Sequence, residues 1–193
     1  MEQKFFFFDI DNTLAVWPEG KIPDSAQYCI DELQRRGHLV SIATGRIQVD
    51  AMRFAEQARI TNVVADGGHS ITIDGKLVSM IGMNRDMCIQ YLEYLESKHI
   101  PWAVTDRNKL GRITPYKEIL EWHPDWDVFK TVVDPEFDFH SVEDFYKIYV
   151  FFKDGEEEEK DIEHMTHKLI GIREICGIFF DFFLVPIPPF NLF

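Results

Sequence analysis

Cysteine is scarce: Cys29, Cys88 and Cys176 are the only three in 193 residues, far apart and without a Cys-x-x-Cys pair. Neither a disulfide framework nor a zinc knuckle is indicated, and a reducing compartment is the simplest expectation. Cations are few as well. Lys and Arg number 20 against 33 Asp and Glu, a net charge of −13, and a surface this acidic repels phosphate backbones and anionic headgroups. Nucleic acid and membranes are therefore not expected as partners. No apolar run approaches the roughly 20 residues that span a bilayer. The opening MEQKFFFFDID is too short and too polar for a signal peptide, so a cytoplasmic protein is expected. What is present is ordinary globular composition, 46% hydrophobic and 27% charged, enough for one domain or two small ones. A small anionic substrate is compatible with the bulk charge if its site is made locally positive by a metal ion or a helix N-terminus.

The run Phe5, Phe6, Phe7, Phe8 is uninterrupted and bounded by charge, as is a strand buried on both faces of a parallel sheet. Asp24 and Ser25 offer N-caps to a helix with Ala26, Cys29, Ile30 and Leu33 on one face, stopped by Gly37. A second strand follows at Leu39, Val40, Ile42 and Ala43, a second helix over about 47–58, and a third strand at Val63, Val64 and Ala65. The order β-α-β-α-β specifies right-handed parallel crossovers, with ligands bound outside the carboxyl ends of the strands. From about Ser70 the pattern changes. An Asp74-Gly75 hairpin signal joins short strands over 70–73 and 77–81, and Asn84 caps a helix carrying Cys88, Tyr91, Leu92 and Leu95. Strands near 102–105 and 112–114, a Trp- and Pro-rich loop over 122–135, a strand over 147–152, a helix opened by residues 156–159 and strands near 173–179 and 182–186 complete the reading. The fold class expected is α/β: a partial Rossmann-like parallel core of residues 1–75, an inserted α+β cap of residues 76–186, and an irregular tail of residues 187–193.

The polar residues collect on one edge: Asp9-Ile10-Asp11-Asn12-Thr13 after the first strand, Thr44-Gly45-Arg46 after the second and Asp66-Gly67-Gly68 after the third. Two carboxylates one residue apart at a strand end can converge on a hard cation such as Mg²⁺ through side chains or a backbone carbonyl. One can attack phosphorus to give an aspartyl-phosphate while the other protonates the leaving alcohol and then activates water. Thr44 can donate its hydroxyl to a phosphoryl oxygen, and the N–H groups of Gly45 and Arg46 can add an anion nest. These parts suit phosphoryl transfer.

At these residues a resemblance becomes specific. FFFFDIDNTLA resembles motif I, DxDxT after a hydrophobic strand, of the haloacid dehalogenase-like hydrolases, and SIATGR resembles motif II of their Cof-type branch. VADGGHSITIDGKLV is similar to the passage in which a third strand ends in Asn-Gly and a large cap begins. The resemblance implies a Mg²⁺-dependent phosphatase of small phosphorylated metabolites. It makes Asp9 the nucleophile and metal ligand, Asp11 the acid/base and carbonyl ligand to the metal, Thr44 a ligand of the transferring phosphoryl group, and Arg46 its neighbour. Asp66 stands where the family has Asn and so brings a further negative charge beside an anionic substrate; with Gly67 it is a candidate substrate contact. The family returns from cap to core through a Lys and a GDxxND-type acidic motif. The run Val185 to Phe193 has neither, and its three prolines forbid a helix. The expectation is a core shortened at its C-terminal side, as a frameshift or premature stop would leave it, with weak Mg²⁺ affinity and a sheet edge open to homo-oligomer formation. The alternatives are a catalytically silent ligand-binding or regulatory protein, and a phosphomutase.

Other features have plainer readings. Residues 156–159 are four acids suited to a helix's first turn. His164 and His167 lack a third zinc ligand. Trp122, His123 and Trp126 are read either as a loop over the site or as residues buried between cap and core, and the strand over 147–152 followed by Asp154 is read as a cap strand in preference to an imitation of the missing acidic motif.

Overall fold

The computed structural model describes residues 2–16, 20–123 and 129–151. The features read at Trp126, Asp154, 156–159, His164, His167, 173–186 and the tail lie outside the described residues.

The first sheet has five strands in sequential order, β1 (Phe5–Phe8), β2 (Leu39–Ala43), β3 (Asn62–Ala65), β4 (Ser70–Ile73) and β5 (Lys76–Met80). β1, β2 and β3 are parallel and are connected through α1 (Asp24–Arg35) and α2 (Gln48–Ala58), as the alternating pattern predicts. β4 and β5 run antiparallel as a hairpin. Asp74 (φ 49°) and Gly75 (φ 73°) at its tip are both left-handed, which is what a two-residue turn matching the strand twist requires. The sheet therefore continues through Met80, so residues 76–80, read from sequence with the second unit, are part of the first sheet.

Both helices lie on one face. Ile30 of α1 and Ala51, Phe54, Ala55 and Ala58 of α2 pack against Val40, Ile42, Val63 and Ala65. Among the described residues the other face is not covered to the same extent: Phe5 is 65% and Phe7 60% exposed, with Ile71 and Ile73 also open. The expectation that β1 is buried on both faces is thus corrected. Phe6 and Phe8 face the helices, Phe5 and Phe7 do not, and among the described residues β1 pairs only with β2. A second correction is at the start of α1, where Pro23 (ψ 152°) is the N-cap residue and makes no side-chain cap. Asp24 sits instead in the first turn, where a negative charge suits the helix dipole.

The second sheet has the order β8-β7-β6-β9, from β6 (Trp102–Thr105), β7 (Gly111–Thr114), β8 (Lys130–Val133) and β9 (Lys147–Val150). α3 (Arg85–Ser97) covers one face, with Leu92 and Leu95 against Trp102 and Val104. It begins as predicted, Asn84 Oδ1 accepting from Met87 N at 3.0 Å. Beneath it, Glu96 accepts from Trp102 Nε1 (2.8 Å) and from the Tyr116 hydroxyl (2.7 Å), so the indole's buried N–H is satisfied. The stretch 122–135 is not a loop throughout. α4 (Glu118–Trp122) ends in it, and β8 pairs parallel to β7, because Thr131, Val132 and Val133 form a β-branched run that the flanking Trp and Pro residues masked.

Candidate active site

The carboxyl ends of β1, β2 and β3 form one edge. After β1 the chain folds back at once, with Leu14 N donating to Asp9 O (3.2 Å) and Ala15 N to Ile10 O (2.8 Å), while Ile10 and Leu14 are buried. This turn leaves Asp9 exposed at the strand end and Asp11 half-buried one residue beyond.

Asp11 meets Arg46 in a fork. Arg46 Nε donates to Asp11 Oδ2 at 2.9 Å and Nη2 to Oδ1 at 2.7 Å. Nη1 donates to Asp50 Oδ2 at 2.7 Å, and the guanidinium lies 4.6 Å from the centre of the Phe54 ring. Burial opposes the charge on Arg46, but Asp11 and Asp50 outweigh it and hold the guanidinium more firmly protonated than usual. Bidentate pairing of this kind fixes geometry as well as adding energy.

Thr44 is buried, its N–H donating to Val64 O (3.0 Å) and its hydroxyl accepting from Arg46 N (3.2 Å). The third loop is tied to the second through its backbone: Asp66 N donates to Arg46 O (2.8 Å) and Gly67 N to Thr44 O (3.1 Å). Asp66 (φ 52°), Gly67 (φ 60°) and Gly68 (φ 105°) are all left-handed, so the turn read from Asp-Gly-Gly is present and extends to the Asp itself.

The anion nest was expected at the Gly45 and Arg46 amides, but Arg46 N donates to Thr44 Oγ1 and α2 begins at Gln48, where two side chains take up the first amides. Gln48 N donates to Asp66 Oδ2 (3.1 Å), and Val49 N to Asn108 Oδ1 (3.0 Å) from the loop between β6 and β7. Asn108 Nδ2 in turn donates to Gln48 Oε1 (2.7 Å), while Gln48 Nε2 donates to Thr72 Oγ1 (3.2 Å). Burial pushes the Asp66 carboxyl up from its ordinary range, against the Ser70 hydroxyl, the Gln48 amide and the charges of Lys147 and His69. Asp66 Oδ1 and Ser70 Oγ are buried without well-formed hydrogen bonds.

The structure thus joins Asp11 to Arg46 through side chains, Thr44 to Arg46, and Asp66 and Gly67 to the Thr44–Arg46 turn; Asp9 lies on the same edge. Sequence reading missed Asp50, Asn108 and Lys147. Asp50 carried a signal, standing four residues after Arg46 with opposite charge. Asn108 reaches α2 and Lys147 reaches Gly45 from the second sheet, across 59 and 102 residues of chain, and no local pattern announces either.

Mg²⁺ is commonly held by one or two carboxylates together with water and phosphate oxygens. Asp9 is exposed at the strand end, and both Asp11 side-chain oxygens are engaged by Arg46. Among the described residues no group of three or more His, Cys, Asp or Glu converges on one point. The residues present fit Mg²⁺ as a sparse donor set, completed by water and substrate.

A family model described as haloacid dehalogenase-like hydrolase matches residues 6–182. The chain is 25% identical over 161 residues to a Bacillus subtilis protein named "Putative phosphatase YkrA", a match covering 81% of this chain and 60% of that one. A haloacid dehalogenase-like hydrolase from Bacteroides thetaiotaomicron has a similar structure, with TM-score 0.66, 15% identity, and coverage of 88% of this chain and 65% of that one. So does the sugar phosphatase BT4131, of subclass IIB, with TM-score 0.64, 17% identity, and coverage of 88% and 64%. These likenesses agree on the fold, and the chain spans about 60% of the length of the Bacillus relative. No helix among the described residues is long and apolar enough to cross a membrane.

Proposed function

The chain belongs to the haloacid dehalogenase-like hydrolases, and from that premise we propose that it is a Mg²⁺-dependent phosphatase of small phosphorylated metabolites, working through an aspartyl-phosphate on Asp9. The observation that carries the reading is the gathering of Asp11, Thr44 and Arg46 beside Asp9 on one sheet edge. An Asp9 oxygen attacks phosphorus, and the bond from phosphorus to the leaving oxygen breaks. Asp11 gives that oxygen a proton and then takes one from the water that cleaves the aspartyl-phosphate, returning Asp9 and releasing phosphate. Thr44 orients a phosphoryl oxygen through its hydroxyl. Mg²⁺, when bound by the Asp9 carboxylate and the Asp11 carbonyl, would supply positive charge to the phosphoryl oxygens. Arg46 positions Asp11, and one Asp11 oxygen must turn away from the guanidinium to reach the leaving group.

That last requirement supports the second reading, a ligand-binding protein without turnover, in which the fork keeps Asp11 engaged. Incubation with Mg²⁺ and p-nitrophenyl phosphate, comparing the parent chain with Asp9→Asn, separates the two. Turnover abolished by the substitution is expected. Equal turnover removes Asp9 from the mechanism. A ligand-induced rise in Tm with no phosphate release selects the silent protein. Product analysis on a sugar phosphate distinguishes hydrolysis from phosphoryl return to the sugar.

A further inference from the structure

The second sheet places a cation at the turn that the first sheet builds for an anion. Lys147 begins β9 opposite Thr105 of β6. Alternation along the paired strands sends Trp102, Val104, Ile148 and Val150 to the face packed under α3, and Ala103, Thr105, Lys147 and Tyr149 to the other. From that second face Lys147 Nζ donates to the carbonyl of Gly45 at 3.1 Å, between Thr44 and Arg46. The contact is partly buried, and Asn108 fastens the same sheet to the start of α2.

Charge gives the placement its meaning. Asp9, Asp11, Asp50 and Asp66 put four carboxylates around the edge that is to receive a phosphate. Arg46 spends its guanidinium on two of them, Asp11 and Asp50, so it orients acids more than it offsets a substrate's charge. Lys147 brings a second cation to the same turn, with its charge also felt by the Asp66 carboxylate. A lysine is a compact point charge on a flexible stem and follows a phosphoryl oxygen over a short distance more readily than a forked arginine does.

We propose that Lys147, reaching the Thr44–Arg46 turn from the second sheet, is a ligand of the transferring phosphoryl group. This rests on the phosphoryl-transfer reading of the site, and its test is separable from turnover. Inorganic phosphate is titrated in the presence of Mg²⁺ against the parent chain, Lys147→Gln, Lys147→Arg and Lys76→Gln, reading the rise in Tm and the binding isotherm. Lys76 is exposed on β5 and controls for the loss of one bulk charge. Removing a charged hydrogen-bond donor is expected to weaken phosphate binding about 10- to 100-fold in Lys147→Gln, with Lys147→Arg within a few-fold of the parent and Lys76→Gln unchanged. Unchanged affinity in Lys147→Gln overturns the proposal, as does equal loss in Lys147→Gln and Lys147→Arg, or a parent that binds no phosphate. Expected affinities in a parent that does not hydrolyse p-nitrophenyl phosphate uphold Lys147 while rejecting the phosphatase reading.

Discussion

Arg46 holds Asp11 by both carboxylate oxygens, at 2.7 and 2.9 Å, and holds Asp50 with its remaining nitrogen. One side chain thereby joins the loop after β1 to the start of α2. Arg46→Lys keeps the charge and loses the fork. The expected outcome is a loss of about 1–3 kcal/mol in stability and a fall in kcat/KM for p-nitrophenyl phosphate, with Arg46→Ala worse on both counts because Asp11 then loses both donors of the fork and Asp50 keeps only its contact with Arg53. An unchanged Tm in Arg46→Lys means that the fork does not hold the two loops together.

Asp66 gives a pH-dependent prediction. Its carboxyl is raised in the folded chain, chiefly by burial. Between the unfolded value and that raised value the folded chain binds more protons than the unfolded one, so stability falls as pH rises through this window, and at neutral pH the buried charge is a cost. Asp66→Asn retains an oxygen for the Gln48 amide and tolerates the left-handed backbone. Thermal melts are expected to show it more stable than the parent at neutral pH by on the order of 1 kcal/mol, the advantage shrinking as pH is lowered through the raised carboxyl value. A parent more stable than Asp66→Asn at neutral pH contradicts this.

Asn108 caps α2 from another sheet, so its removal should be felt at a distance in sequence. Asn108→Ala strips the partner from Val49 N and from Gln48 Oε1, and is expected to cost about 0.5–2 kcal/mol. Hydrogen exchange is the sharper readout: faster exchange at the Val49 amide and in the loop between β6 and β7, with the helix beyond Phe54 unaffected.

Gly111 is required by contact and not by torsion. A Cβ added there would stand 2.5 Å from the Lys130 carbonyl oxygen, across the β7–β8 pairing. Gly111→Ala is expected to destabilise by about 1–3 kcal/mol, measured as a lower denaturation midpoint. A neutral result would show that β8 can shift without loss.

These residues also show what the sequence discloses. Strand-helix alternation through Ala65 is legible because each element carries its own period, and Asn84 and Asp74-Gly75 because capping and tight turns are decided within four residues. The acids at the end of β1 and the Thr44-Gly45-Arg46 turn are legible for the same reason. β8 was obscured because a four-residue strand beside Trp and Pro carries little local pattern. Asn108 and Lys147 were out of reach altogether: their partners are chosen by how the second sheet lies on the first, a result of packing that no stretch of neighbours encodes. Exposure of Phe5 and Phe7 belongs to the same class, since a phenylalanine run reads as buried whichever side lacks a cover.

Among the described residues the first sheet is an amphiphile, with helices on one side and Phe5, Phe7, Ile71 and Ile73 exposed on the other. A net charge of −13 would act as the colloidal stabiliser that keeps such faces apart. Its reach is only about 10 Å at 0.1 M salt, and it vanishes as pH approaches the isoelectric point near 4.9. Light scattering should therefore find the chain most dispersed in dilute, slightly alkaline buffer and self-associated through this face as salt is added or pH is lowered, with Phe5→Ser and Phe7→Ser together shifting the onset of salting-out to higher ionic strength.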